Sequence, residues 1–177
     1  MKDKLLLHIC CAPCGIMPVS SFKDDFEVVG LFYNPNIHPY KEYLDRLTSV
    51  KKLSDDFEIK IIYEEYDWED FLKELILTNN TFEPYRCEFC YKMRLIKTNN
   101  IAKEMGIRYI STTLLYSIYQ KHELIKVVAD EVVKDSEFIY KDFRPFYREG
   151  VIKSRELAYY RQKYCGCIFS NYDRYKK

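Results

Sequence analysis

The stretch that most constrains the fold is Leu5 to Cys14, LLLHICCAPC. From Leu5 to Cys11 it is apolar and nearly continuous, the pattern of a strand buried on both faces within a parallel sheet covered by helices. Pro13, Gly15 and Pro18 punctuate a turn into a helix expected around Val19 to Lys23. Cys10, Cys11 and Cys14 therefore belong at the carboxyl end of a central strand.

The rest of the chain repeats this alternation. Phe26 to Tyr33 reads as a second strand, the NPNIHP segment as a loop, and Tyr40 to Phe57 as a helix with Tyr43, Leu44, Leu47, Val50 and Leu53 at helical spacing. Glu58 to Tyr63 is a third strand, and a helix follows through Phe71, Leu72, Leu75 and Ile76. A long helix is expected from about Glu88 to Met105, with Met93, Ile96, Ile101 and Met105 apolar and Gly106 as its stop. Tyr109 to Leu115 is a fourth strand, Lys121 to Lys134 a further helix, and Glu137 to Tyr140 a short strand. Such an order implies an α/β fold, a three-layer parallel sheet with helices on both faces, followed from Phe143 by a mixed C-terminal extension. A length of 177 residues suits a single domain spanning 1–177.

Seven cysteines are what this fold must accommodate. The amino terminus has no apolar stretch long enough for a secretory signal, and no run of membrane-spanning length follows, so a cytoplasmic protein without membrane attachment is expected. Thiols in a reducing compartment point to metal or redox chemistry, and an odd count excludes full pairing as disulfides. A formal net charge of +1 gives no overall basic field, so a nucleic-acid partner would have to be held by a local patch. Arg144, Arg148, Lys153, Arg155, Arg161 and Lys163, interleaved with Phe143, Phe146, Tyr147, Tyr159, Tyr160 and Tyr164, offer one; a solvated basic face is the plainer explanation of the same run.

Cys87 and Cys90 are spaced to point at one ligand across the first turn of a helix, whose partial positive end favours thiolates. Cys10 and Cys11 are adjacent and face one centre only if the backbone turns after them. Four thiolates in two pairs suit zinc or an iron–sulfur cluster. A strand-end Cys-Cys within an α/β pattern is unlike the paired knuckles of a zinc ribbon and favours iron–sulfur. Cys165 and Cys167, separated by Gly166, suit metal ligation or a reducible disulfide carrying two electrons. Cys14 is either a further ligand or a small apolar residue at a helix start. His8 is expected as a hydrogen-bonded core residue, His38 as a loop residue near a ligand, and His122 at the surface.

Taken together, HICCAPC, FYNPNIHPYKEY, RCEFCYKMRL, STTLLYS and YRQKYCGCIFS resemble the epoxyqueuosine reductases of the QueH family along nearly the whole chain. The resemblance implies reduction of epoxyqueuosine to queuosine in a tRNA anticodon loop, the last step of queuosine biosynthesis. It implies a 4Fe-4S cluster on Cys10, Cys11, Cys87 and Cys90, and a redox-active pair at Cys165 and Cys167. An additional iron near the cluster would take Cys14 as its nearest candidate ligand. It also implies kinship with PP-loop (HUP-type) nucleotide-binding folds, although CCAPC stands where their glycine-rich, serine-containing phosphate turn would be. Asp67, Glu69 and Asp142, near expected strand ends, are candidate proton donors. The electron donor is not identified by any motif. Competing functions are an iron–sulfur-dependent tRNA thiolation enzyme, a zinc-stabilised RNA-binding module and, behind them, a thioredoxin-like exchange enzyme.

Overall fold

The computed structural model describes residues 2–79 and 81–176. Five strands, β1 (Lys4–His8), β2 (Glu27–Phe32), β3 (Lys60–Tyr63), β4 (Tyr109–Thr112) and β5 (Glu137–Phe138), form one sheet in the order β3-β2-β1-β4-β5. Every pairing is parallel. On β1, Leu5 and Leu7 enter one core and Leu6 another that holds Val29, Leu31, Ile101, Ala102, Ile107 and Ile110, so both faces of the strand are buried. Among the described residues seven helices surround the sheet: α1 (Ala12–Lys23), α2 (Tyr40–Asp56), α3 (Trp68–Leu77), α4 (Tyr85–Glu104), α5 (His122–Val132), α6 (Tyr147–Glu156) and α7 (Ile168–Tyr175).

Several boundaries differ from expectation for identifiable reasons. Helix α1 begins at Ala12, because Pro13 sits in the first turn, where its missing N–H costs nothing. Pro18 lies inside the helix, where its ring nitrogen leaves the Cys14 carbonyl without the usual i→i−4 donor. The close approach of α2 to this helix requires Gly15: a Cβ there would stand 2.7 Å from Leu53 Cδ2. β4 stops at Thr112, whose Oγ1 accepts from Leu114 N–H at 3.2 Å and starts a 3-10 turn over Thr113–Tyr116. The C-terminal extension is mixed as expected, with α6 and α7 joined by an irregular stretch over 157–167, and α6 packs against α1 with Gly150 on the Tyr116 ring.

In this strand order β1 is flanked by β2 on one side and β4 on the other, so the connections leaving β1 and β4 diverge at their carboxyl ends. Open α/β sheets bind ligands in the crevice at such a point. The segments that follow these two strands are Cys10–Cys14 and Thr113–Tyr116.

Candidate metal and redox site

The turn after β1 gathers three thiols. Cys11 is the N-cap of α1, with extended backbone (φ −171°, ψ 162°), and Cys14 lies one turn inside the helix. The backbone turn this requires brings the sulfurs of Cys10, Cys11 and Cys14 within 4.8 Å of one another, and all three are buried. Thr113, from the segment after β4, accepts from Cys10 N–H (3.0 Å) and donates to Cys10 Sγ (3.3 Å). Gln162 Nε2 donates to Cys11 Sγ at 2.8 Å. Thiol donors from Cys11 and Cys14 hold the Cys10 pKa well below its ordinary value, while burial raises Cys11, and hydrogen bonding to Cys10 raises Cys14.

The second group surrounds a cavity lined by Cys87, Cys90, Cys165, Cys167, Asn36, Arg94 and Gln120. Cys87 and Cys90 lie in the first turns of α4. The helix end was expected to favour their thiolates, but burial outweighs it: Cys87 is pushed up to about 11 and Cys90 to about 12. Binding a metal, which needs thiolates, is thus coupled to release of their protons. Cys165 is exposed and accepts from Gln120 Nε2 at 3.3 Å, and Cys167 caps α7 by accepting from Ser170 N–H at 3.3 Å. All seven cysteines are free thiols.

The Cys165-Gly166-Cys167 backbone is held from two sides. Arg46 of α2, 1% exposed, donates from Nη1 to the Cys165 carbonyl (2.9 Å) and from Nη2 to the Tyr164 carbonyl (3.1 Å). Its Nε and Nη2 engage Glu42 Oε1 at 2.8 and 2.7 Å, and Tyr160 Oη donates to the other Glu42 oxygen. His38 N–H donates to Gly166 O at 2.8 Å, and Tyr164 Oη donates back to His38 O at 2.6 Å. Gly166 has φ +135°, and a Cβ there would lie 3.2 Å from both Arg46 Nη1 and Ile37 Cγ1, so glycine is required by conformation and by space. The second buried arginine, Arg94, donates from Nη2 to Cys90 Sγ at 3.0 Å. Motif spacing singles out none of Arg46, Arg94, Gln120 or Gln162; for the two arginines the available signal was a charge beside the apolar positions of a helix, and for the two glutamines, which lie outside helices, there was none.

The remaining candidates divide. His8 is fully buried between Thr112 Oγ1 (2.9 Å) and the Tyr33 carbonyl (3.1 Å), as expected of a core histidine. His38 is buried on its loop beside Phe71, with Nε2 unpartnered. His122 is buried, not at the surface, between Tyr140 Oη and Ser117 O. Asp142 is unsuited to donate a proton, because Arg144 holds its carboxyl down at about 2. Asp67 stands at the N-terminal boundary of α3, with no capping hydrogen bond from its side chain, and accepts from Tyr33 Oη at 3.4 Å; Glu69 lies in the first turn of the same helix. In the basic stretch, Phe143 and Tyr159 are buried, and Tyr160 and Tyr164 are tied to Glu42 and His38, so these four rings are committed to the structure. Arg148, Arg155, Arg161 and Lys163 are exposed and have no ion-pair partner among the described residues.

The model of the family described as "Epoxyqueuosine reductase QueH" matches residues 5–173. A relative named Epoxyqueuosine reductase QueH from Dehalococcoides mccartyi is 35% identical over 181 residues, covering 100% of this chain and 97% of that protein. One of the same name from Thermotoga maritima is also 35% identical, over 182 residues, covering 98% and 93%. Among solved structures, the U34-tRNA thiolase NcsA from Methanococcus maripaludis, determined with its 4Fe-4S cluster, superposes with a TM-score of 0.63 at 14% identity, covering 96% of this chain and 61% of that one. That likeness is one of fold. By the family model and by identity over essentially its full length, the chain belongs to the epoxyqueuosine reductase QueH family.

Proposed function

We propose that the protein is an oxidoreductase that converts epoxyqueuosine to queuosine in the anticodon loop of tRNA. Family membership across the whole sheet and its C-terminal extension carries this reading. Unpaired thiols gathered where the β1 and β4 connections diverge support it.

Removing the epoxide oxygen breaks two C–O bonds, forms an alkene and releases water, which consumes two electrons and two protons. A dithiol closing to a disulfide supplies both. We assign that role to Cys165 and Cys167, so that one S–S bond forms for each epoxide reduced. The loop is suited to it: Arg46 and His38 fix its backbone, and Cys165 and Cys167 line the cavity they share with Cys87 and Cys90.

Cys10, Cys11, Cys87 and Cys90 are the proposed ligands of a 4Fe-4S cluster, with Cys14 available to an additional iron. The donor set fits such a group. Its thiols are unpaired, and Thr113, Gln162 and Arg94 direct donors at their sulfurs. When bound, a 4Fe-4S cluster on these four thiols would supply single-electron transfer, and an additional iron would supply Lewis acidity. Arg148, Arg155, Arg161 and Lys163, which precede the CGC loop, are the proposed phosphate contacts to tRNA. Among the described residues no helix is long and apolar enough to cross a membrane, and a tRNA-modifying role belongs in the cytoplasm.

The test is iron, sulfide and zinc analysis of protein purified without oxygen, together with conversion of epoxyqueuosine in tRNA under a chemical reductant. Cys87→Ala is expected to lose iron and turnover together, whereas Cys165→Ala keeps its iron and loses turnover. Zinc in place of iron with no conversion would overturn the reductase reading, and full turnover by Cys165→Ala would overturn the dithiol assignment alone.

A further inference from the structure

Arg94 lies one turn after Cys90 in α4, and its guanidinium folds back onto that residue, with Nε donating to the Cys90 carbonyl and Nη2 to Cys90 Sγ, each at 3.0 Å. The residue is 2% exposed. Arg46, equally buried, is neutralised by Glu42; Arg94 has no carboxylate within 4.0 Å among the described residues. The groups facing it are His8 on β1, the Tyr91 ring at 5.7 Å, and the sulfurs of Cys90, Cys10 and Cys165. A buried charge without a counter-charge is strongly unfavourable, so a chain that keeps one needs an anion beside it. Among the described residues, the sulfurs of Cys90, Cys165 and Cys10 are the groups placed to supply that anion.

We propose that Arg94 is the built-in counter-charge of the thiolate centre: it opposes the metal-free state, favours the loaded one, and raises the reduction potential of the cluster. The inference rests on the cluster reading given above. A cluster held by four thiolates gains negative charge on each reduction, and a fixed cation hydrogen-bonded to one ligand sulfur stabilises the reduced form more than the oxidised one. Arg94 is thus a positioning and potential-setting residue with no assigned contact to substrate.

The experiment compares wild type, Arg94→Lys and Arg94→Met, purified and reconstituted with iron and sulfide without oxygen. Each is titrated with dithionite while electron paramagnetic resonance and visible absorption are followed. Arg94→Met is expected to shift the cluster's reduction equilibrium at least tenfold toward the oxidised form, about 59 mV for one electron; Arg94→Lys, which keeps the charge, should stay within about threefold. A second measurement on metal-free protein keeps the test open if Arg94→Met fails to hold a cluster: its urea midpoint should equal or exceed that of wild type, as expected when an uncompensated buried charge is removed. A wild-type potential in loaded Arg94→Met, a metal-free Arg94→Met clearly less stable than wild type, or Arg94→Lys shifting as far as Arg94→Met would each refute the counter-charge role while leaving the cluster in place. Wild-type protein that takes up no iron would instead remove the cluster reading, and this inference with it.

Discussion

Replacing Arg46 by Met should separate the stability of the fold from the order of its redox loop. The change removes one partner of a buried ion pair and leaves Glu42, 6% exposed, with only Tyr160 Oη as a partner. Breaking a buried pair in this way typically costs about 3–5 kcal/mol. With a urea m-value of roughly 2 kcal/mol/M, that is a midpoint lowered by about 1.5–2.5 M. The same change frees the carbonyls of Tyr164 and Cys165 from Nη2 and Nη1. The assay is urea unfolding of the metal-free protein by far-ultraviolet circular dichroism, paired with amide hydrogen exchange over residues 164–167. Replacing both partners, Glu42→Leu with Arg46→Met, should recover most of the stability, because a buried ion pair exchanged for packed apolar side chains is often neutral. The exchange protection of the loop should not return with it. If Arg46→Met unfolds within about 1 kcal/mol of wild type, or if the double variant protects the loop as wild type does, the clamp is not what orders it.

Gly166→Ala is expected to destabilise the protein by about 1–3 kcal/mol, since it places a side chain at φ +135° and against Arg46 and Ile37, and a thermal melt within error of wild type would show that the loop relaxes instead. Acid should destabilise the metal-free protein before its carboxylates titrate. Burial lowers all three histidines, His8 to about 4, so the unfolded chain takes up protons that the folded one refuses. Stability is therefore full above the unfolded pKa of about 6.5 and falls as pH drops toward 4, by on the order of 3 kcal/mol from His8 alone. Urea midpoints measured from pH 7.5 to pH 4.5 test this, with His122→Gln expected to flatten part of the slope; a midpoint independent of pH over that range would contradict it.

The sheet was legible because apolar runs and strand–helix alternation are local properties. Boundaries failed where a side chain or a missing N–H decided them, as at Pro13 in α1 and Thr112 after β4. The buried faces of α2 and α4 were less legible, for a reason that bears on function. Apolar spacing finds Tyr43, Val50 and Leu53 in α2 and Ile101 in α4, all buried, but it also selects Leu44 in α2, which is 40% exposed, and Ile96 and Met105 in α4, both 42% exposed. The faces turned inward carry Glu42, Arg46 and Ser49 in α2, and Arg94, Thr98 and Asn99 in α4. A search for apolar periodicity passes over the polar residues of a mixed inner face, and a helix acquires them where what it covers is polar too. His122 was misplaced in the same way, as a polar residue whose partners, Tyr140 and Ser117, hold it inside.

The cysteine pairs could be read from spacing, since each lies within one turn or one loop. The proximity of Cys14 to Cys10 and Cys11 depends on α1 starting at Ala12, which brings the third sulfur round to the other two. Neither buried arginine belongs to a cysteine motif by spacing alone, yet each hydrogen-bonds to one: Arg46 to the backbone of the CGC loop, and Arg94 to the sulfur of Cys90. Their different pairing follows from what each holds. A loop fixed by its carbonyls needs donors of fixed position, and Glu42 neutralises the donor so that it stays in place whatever the charge on the sulfurs. A residue facing the thiols without a carboxylate of its own keeps its charge available to them. Placing an acid beside Arg94 would neutralise that charge internally and remove the reason to bury it.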